Sequence, residues 1–169
     1  MTTPARLRDC LTVRITMQCF VAAAAALLLP LLASAQSVDG VANIATPQTL
    51  SIKRGQTVTQ TLQISLRDGF HVNSDKPKDE FVIPIKLTWT SGPLQTKQII
   101  YPKPEDVKVG SETLSVFTGK FPIQTKFLAP SQAQAGIATM QGKLRYQACD
   151  NRSCKRPVTV AVQVPLSIQ

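Results

Sequence analysis

Two cysteines near the end of the chain have the residue type and spacing for redox chemistry. Cys149 and Cys154 are separated by four residues, in the run Tyr-Gln-Ala-Cys-Asp-Asn-Arg-Ser-Cys-Lys-Arg-Pro at 146–157. The other two cysteines, Cys10 and Cys19, lie in an amino-terminal leader. A pair so close in sequence can alternate between dithiol and disulfide without reorganising the fold, so it is the best candidate for chemistry in the chain.

The segment between the two cysteines predicts a tight turn. Asp150 to Ser153 are residues that favour turns, and a strand pattern resumes at Val158. Cys149 and Cys154 are therefore expected to flank the turn of a β-hairpin and to face each other across it. Opposed residues of an antiparallel pair have Cα atoms about 4.5–5.5 Å apart, which suits a disulfide.

A disulfide that only stabilises the hairpin is the alternative interpretation. In the chain-entropy model, a disulfide that closes such a short loop adds about 2 kcal/mol to the free energy of unfolding, whereas one that closes a long loop adds more than 4 kcal/mol. The neighbouring Arg152, Lys155 and Arg156 favour a thiolate over a thiol and are expected to lower a thiol pKa. The local sequence therefore favours redox function but leaves the structural disulfide open.

The remaining chemistry of the chain excludes several other classes of function. A structural zinc site needs four ligands, and outside the leader only Cys149, Cys154 and His71 are available as cysteine or histidine ligands. We therefore expect no metal and no organic cofactor. The formal net charge is +9, but the basic residues are scattered and have few aromatic neighbours, so nucleic-acid binding is not expected.

The amino terminus is typical of a secretory signal peptide. Three arginines precede an apolar stretch from Cys19 to Ala33, and Ala33-Ser34-Ala35 offers a cleavage site. The stretch is shorter than the roughly 20 helical residues that cross a bilayer, so no stable membrane insertion is expected. We predict a signal peptide at 1–35, a loosely held segment at 36–48 and one domain at 49–169. Export to an oxidising compartment such as the periplasm would let a disulfide persist.

Alternation of apolar and polar residues predicts an all-β fold. The pattern is clearest in three segments, which we list by their apolar members: Val58, Leu62, Ile64 and Leu66; Ile83, Ile85, Leu87 and Trp89; Val158, Val160, Val162 and Val164. Turn residues recur between such segments, which suggests seven or eight strands and an immunoglobulin-like antiparallel β-sandwich. The polar stretch from Asp68 to Glu80 is expected to be a surface loop.

Three motifs resemble the amino-terminal periplasmic domain of the DsbD thiol:disulfide interchange protein family. They are the cysteine hairpin itself, the stretch Gly-Phe-His-Val-Asn-Ser-Asp-Lys-Pro at 69–77 running on to Phe-Val-Ile-Pro at 81–84, and Tyr-Pro-Lys-Pro-Glu at 101–105. The resemblance extends from about Thr49 to Ile168. It implies an immunoglobulin-like domain whose cysteine pair passes electrons to partner proteins.

The resemblance also implies roles for individual residues. Cys154 matches the thiol that attacks a partner disulfide, and Cys149 matches the thiol that resolves the mixed disulfide. Phe117 matches an aromatic residue on a cap loop that shields the sulfurs. His71 and Tyr146 are candidate neighbours of the site, although a structural role is the simpler expectation for both.

The chain departs from the family pattern beside the cap and after the second cysteine. Ser115 and Val116 stand where acidic residues often precede the cap aromatic, and Glu112 is the nearest acid. Only one of the two usual prolines, Pro157, follows Cys154. The membrane and thioredoxin-like domains of the family are not in this sequence, so the resemblance implies a separate membrane electron donor.

By the same resemblance, the acceptors are thioredoxin-like or disulfide isomerase-like proteins, with a link to cytochrome c maturation. The chain would then act as an oxidoreductase that works with other proteins. The alternative is a non-enzymatic immunoglobulin-like binding module whose disulfide only fixes a hairpin.

Overall fold

The computed structural model of the protein describes residues 39–169, and the predicted signal peptide and its cleavage site lie outside them. Residues 39–169 form twelve strands, and no segment of this part of the chain is helical, so it holds no helix that could cross a membrane. The strands are β1 (Ala42–Ile44), β2 (Leu50–Ile52), β3 (Thr57–Leu66), β4 (His71–Asn73), β5 (Lys86–Trp89), β6 (Gln95–Ile100), β7 (Glu105–Val109), β8 (Glu112–Thr118), β9 (Lys120–Leu128), β10 (Gly136–Tyr146), β11 (Ala148–Cys149) and β12 (Val158–Ile168).

The strands form three four-stranded sheets. Their orders are β1-β3-β9-β6, β2-β12-β10-β5 and β11-β4-β8-β7. All neighbouring strands are antiparallel except β2 and β12, which pair in parallel. The third sheet contains β11, which carries Cys149, and it is therefore the sheet that positions the site.

One apolar core joins the three sheets, because each presents alternate side chains to the same interior. The larger cluster of buried residues takes Ile64 from the first sheet, Leu144 from the second and Val72 from the third. A second cluster lies around Phe127 and Leu166, and Trp89 packs against both clusters. The fold is the predicted immunoglobulin-like antiparallel β-sandwich.

Trp89 shows how sequence and packing agree in this core. Its indole N–H donates a hydrogen bond to Thr125 Oγ1 at 3.1 Å, and its ring meets Phe127 edge to face, with centroids 5.1 Å apart. Gly142 is opposite Trp89 in the β5–β10 ladder, and a Cβ atom there would lie 2.6 Å from the indole. Glycine at 142 therefore makes room for the ring.

The long alternating segments are confirmed as strands, whereas shorter elements differ from the prediction. The segments beginning at Val58 and Val158 lie in β3 and β12. The segment from Ile83 to Trp89 is regular only from Lys86, and twelve short and long strands replace the expected seven or eight. Two- and three-residue strands are too short to show a period, which is why the sequence did not reveal them.

Two predicted irregular segments contain buried strands. The expected surface loop from Asp68 to Glu80 is wrong at 71–73, where β4 lies between β8 and β11 and all three residues are buried. The loosely held segment predicted at 36–48 does not fit residues 41–44. Val41, Ala42 and Ile44 are buried apolar residues of the core, and β1 pairs with β3.

Candidate functional site

The hairpin that carries the two cysteines is held by hydrogen bonds of its own. The Asp150 carboxylate accepts the backbone N–H groups of Arg152 and Ser153, each at 2.8 Å. The Asp150 N–H donates to the Ser153 carbonyl at 2.9 Å, and the Lys155 N–H donates to that of Ala148 at 2.8 Å. The two backbone donors lower the pKa of Asp150, and the Arg152 and Lys155 charges add to this effect. An ionised Asp150 therefore fixes the turn.

Cys149 and Cys154 are joined by a disulfide across this turn. Their Cα atoms are 4.0 Å apart, and the two residues form an antiparallel bridge. The prediction that they face each other across a hairpin is confirmed. The two differ in accessibility, because Cys149 is only 3% exposed whereas Cys154 is an exposed residue.

Strand β4 places His71 beside the buried cysteine. Cys149 pairs with His71 in the β11–β4 ladder, and His71 pairs with Thr118 in the β4–β8 ladder. Directly opposed residues project from the same face of a sheet, so Cys149, His71 and Thr118 form one row. Thr118 Oγ1 also donates to the Glu105 carboxylate at 2.9 Å. An acidic group is thus present at the end of the row.

The environment of His71 favours its neutral form. The side chain is 5% exposed, and burial lowers its pKa, while the negative charge of Asp150 opposes this shift. Its imidazole makes no hydrogen bond to any residue within 39–169. His71 is therefore a buried imidazole opposite Cys149 in the β11–β4 ladder.

Both cysteines line an open cleft of about 460 Å³ on this face of the third sheet. We call it the cysteine cleft. The remaining residues that line it are His71, Asn73, Phe81, Val82, Val109, Leu114, Gln147, Asp150, Asn151, Arg152 and Ser153. No group of three histidine, cysteine, aspartate or glutamate side chains among residues 39–169 is arranged as a metal site.

The structure places Phe117 in the core and not over the sulfurs. The residue is 3% exposed. Its ring stacks on that of Tyr101, with ring centroids 6.5 Å apart, and packs against that of Phe121, with ring centroids 5.0 Å apart. Its position follows from strand periodicity. Thr118 shares the face of His71, so Phe117 must project from the opposite face, where its ladder partner Val72 is buried. The predicted cap therefore does not lie over the disulfide in this structure.

Tyr146 also lies in the core and does not line the cysteine cleft. The residue is 1% exposed, and its hydroxyl donates to Asp39 Oδ1 at 3.1 Å. Burial raises the pKa of Tyr146, and the nearby carboxylate of Asp39 raises it further. Of the two predicted site neighbours, only His71 lies with the cysteines.

Sequence reasoning missed that Phe81 and Val82, in the segment at 74–84, line the cleft. Asn73 Nδ2 donates to the carbonyl of Ile83, in the same segment, at 3.2 Å. A phenylalanine that follows a run of charged residues was the available signal.

Comparison with known families identifies the class of domain. The family described as Thiol:disulfide interchange protein DsbD, N-terminal, matches residues 42–165. No curated protein sequence matches the chain. The family match covers most of the sandwich and both cysteines, and it confirms the resemblance found in the sequence.

The solved structures that are similar to this chain include two N-terminal domains. The N-terminal periplasmic domain of ScsB from Proteus mirabilis has a TM-score of 0.54 and 16% identity, over 78% of this chain and 50% of that one. The DsbD n-terminal domain of Neisseria meningitidis, in its reduced form, has a TM-score of 0.44 and 16% identity, over 62% of this chain and 74% of that one. The chain thus spans about half the length of the ScsB structure, whose likeness supports the fold. By its family match, the chain belongs to the family of N-terminal domains of DsbD thiol:disulfide interchange proteins.

Proposed function

We propose that this domain is an exported, periplasmic thiol:disulfide exchange protein that passes electrons to disulfides of partner proteins. The observation that carries the proposal is the disulfide between Cys149 and Cys154, which lines an open cleft with one exposed and one buried cysteine. Family membership supports the same chemistry. The acceptors are thioredoxin-like or disulfide isomerase-like proteins, and a separate membrane protein supplies the electrons.

The reaction has two exchange steps. The Cys154 thiolate attacks one sulfur of the partner disulfide, which forms a mixed disulfide and releases the first partner thiolate. The Cys149 thiolate then attacks the Cys154 sulfur, which restores the Cys149–Cys154 disulfide and releases the second partner thiolate. Two electrons pass from the domain to the partner, and no cofactor is required.

Exposure and charge support this division of roles. A partner protein can approach Cys154, whereas Cys149 is buried on β11 and can be reached by its neighbour in the hairpin. Arg152, Lys155 and Arg156 are exposed residues close to Cys154 in sequence, and positive charge favours a thiolate. His71, opposite Cys149 in the ladder, accepts the proton of the Cys149 thiol before the second step.

Trapping of mixed disulfides tests the two roles. Cys149→Ser should leave Cys154 able to attack but unable to release its partner, so disulfide-linked complexes should accumulate. Cys154→Ser is the matched control and should trap far less, because its remaining thiol is buried. Complexes are measured by non-reducing gel electrophoresis after mixing each reduced variant with an oxidised thioredoxin-like protein. Equal trapping by the two variants would contradict the assigned roles.

The alternative, a binding module with a structural disulfide, is favoured by one observation. The disulfide lies within a hairpin that also has its own backbone hydrogen bonds. In that case neither variant would trap a partner.

A further inference from the structure

Phe81 is an exposed aromatic side chain on the wall of the cysteine cleft. It is 87% exposed, and within residues 39–169 the other large apolar side chain of comparable exposure is Ile137, at 84%. A single exposed apolar side chain needs no functional explanation. The location distinguishes the two, because Phe81 lines the cleft that contains both cysteines and Ile137 does not.

The segment at 74–84, which we call the Phe81 loop, is fixed to the rest of the domain near both ends. Ser74 is completely buried, and its Oγ lies 3.2 Å from the Oγ of Ser115 on β8. At the other end, the Ile83 carbonyl accepts the side-chain amide of Asn73. Ser115 stands where the family often has an acidic residue, and here it anchors the loop.

Two polar contacts lie in the middle of the loop, one at Lys78 and one at the backbone of Phe81 itself. Lys78 forms an ion pair with Asp106 of β7 at 2.8 Å. The Phe81 N–H donates to the Asp79 carboxylate at 2.9 Å, which makes a local turn at the aromatic residue. The loop is therefore anchored to its neighbours and still presents the phenylalanine to solvent beside the disulfide.

The geometry of disulfide exchange requires that the partner protein contact the surface around the cysteine cleft. A mixed disulfide holds the Cα atoms of its two cysteines about 4.4–6.8 Å apart, so a partner's surface must come into contact with the residues around Cys154. Phe81 and Cys154 line the same cleft, and a folded partner that reaches the sulfur is brought onto the ring. Arg152 also lines the cleft, and Lys155 and Arg156 are exposed next to Cys154, so an acidic surface is favoured in the partner.

We propose that Phe81 is a docking residue for the partner protein in thiol:disulfide exchange. The partner it fits is a folded protein whose disulfide is surrounded by apolar side chains with acidic residues nearby. The inference rests on the proposed function. It adds that recognition of protein disulfides depends on an aromatic contact which a small disulfide does not use.

The test compares Phe81→Ala with Ile137→Ala, a matched removal of an exposed apolar side chain away from the cleft. Each reduced protein is mixed with oxidised thioredoxin, as the protein probe, and separately with oxidised glutathione. Phe81→Ala should lower the second-order rate with thioredoxin about tenfold, as expected for an interface anchor, and leave the rate with glutathione unchanged. Ile137→Ala should change neither rate, and both variants should keep the wild-type melting temperature.

The outcomes separate this inference from the function on which it rests. If the wild-type protein reduces neither substrate, the proposed exchange function fails, and the inference fails with it. If the wild type reduces both and Phe81→Ala reduces thioredoxin equally fast, the docking role is wrong while the function stands. A wild type that reduces only glutathione, or a Phe81 variant altered equally on both substrates, also overturns the docking role.

Discussion

The two cysteines differ in exposure and surroundings, and these differences suit the two exchange roles that we propose for them. Cys154 is exposed beside positively charged residues, which suits attack on an external disulfide. Cys149 is buried on β11 opposite His71, which suits an internal step with a protonatable neighbour. A proton acceptor must be neutral when it acts, and burial favours that form of His71 by lowering its pKa.

His71 is the one histidine in the chain, so its titration can be followed without ambiguity. Its pKa in the folded protein lies below the unfolded value of 6.5, because burial disfavours the imidazolium. Between these two pKa values the unfolded state binds more protons, so the free energy of unfolding falls as the pH drops below 6.5. Above that pH the contribution of His71 to stability is fully present.

His71→Gln should reduce this pH dependence. Urea unfolding at pH values near 7.5 and 5.5, above the normal range of carboxyl titration, measures it for wild type and variant. The wild type should lose stability between these two pH values, and the variant should lose less. An NMR titration of the imidazole provides a direct check, and a midpoint above 6.5 would contradict the burial argument.

Strand β4 is the element that determines which side chains meet the disulfide. It lies between β11 and β8, so the side-chain alternation of all three strands is in register. One face of the sheet presents Cys149, His71 and Thr118, and the other presents the core residues Val72 and Phe117. Phe117 can reach the sulfurs only if the pairing of β8 with β4 changes.

Phe117→Ala should therefore behave as a core truncation. The free energy of unfolding should fall by about 3–5 kcal/mol, and alkylation of the reduced cysteines in the folded protein should not accelerate. Phe127→Ala, in the second core cluster, is the matched control and should have the same two effects. Denaturant midpoints and alkylation rates with a small reagent are measured together. Faster alkylation with little loss of stability would instead support a cap role for Phe117.

At the scale of the whole molecule, the sandwich is held by its core and the disulfide is a local feature. The larger buried cluster joins all three sheets, whereas the disulfide closes a hairpin with a sequence separation of 5. Loop closure of this size adds only about 2 kcal/mol in the chain-entropy model. The backbone bonds of the hairpin and the β11–β4 pairing do not depend on the disulfide. We therefore expect the fold to persist when the disulfide is reduced.

The sequence predicted the features that depend on long periodic patterns or on short local motifs. The long strands β3 and β12 followed from alternation, and the cysteine hairpin followed from Asp150 to Ser153 between the two thiols. It did not predict β4, because three residues in a polar segment show no period and are buried only through their two neighbouring strands.

The directions in which the side chains near the site project could not be predicted either, because they also depend on tertiary pairing. The family resemblance implied that Phe117 caps the sulfurs, but the face from which its side chain projects depends on the register of β8 against β4. The position of Phe81 depends on anchors that are distant in sequence, including Ser115 and Asp106. Tertiary pairing of this kind cannot be read from local residue type.

The reduction potential of the Cys149–Cys154 disulfide tests the central claim most directly. The domain is equilibrated in glutathione redox buffers, and the fractions of dithiol and disulfide are quantified by alkylation and mass spectrometry. A disulfide that transfers electrons should have a potential above about −300 mV, within reach of thiol exchange partners. A potential below about −300 mV would identify a structural disulfide and contradict the proposed function.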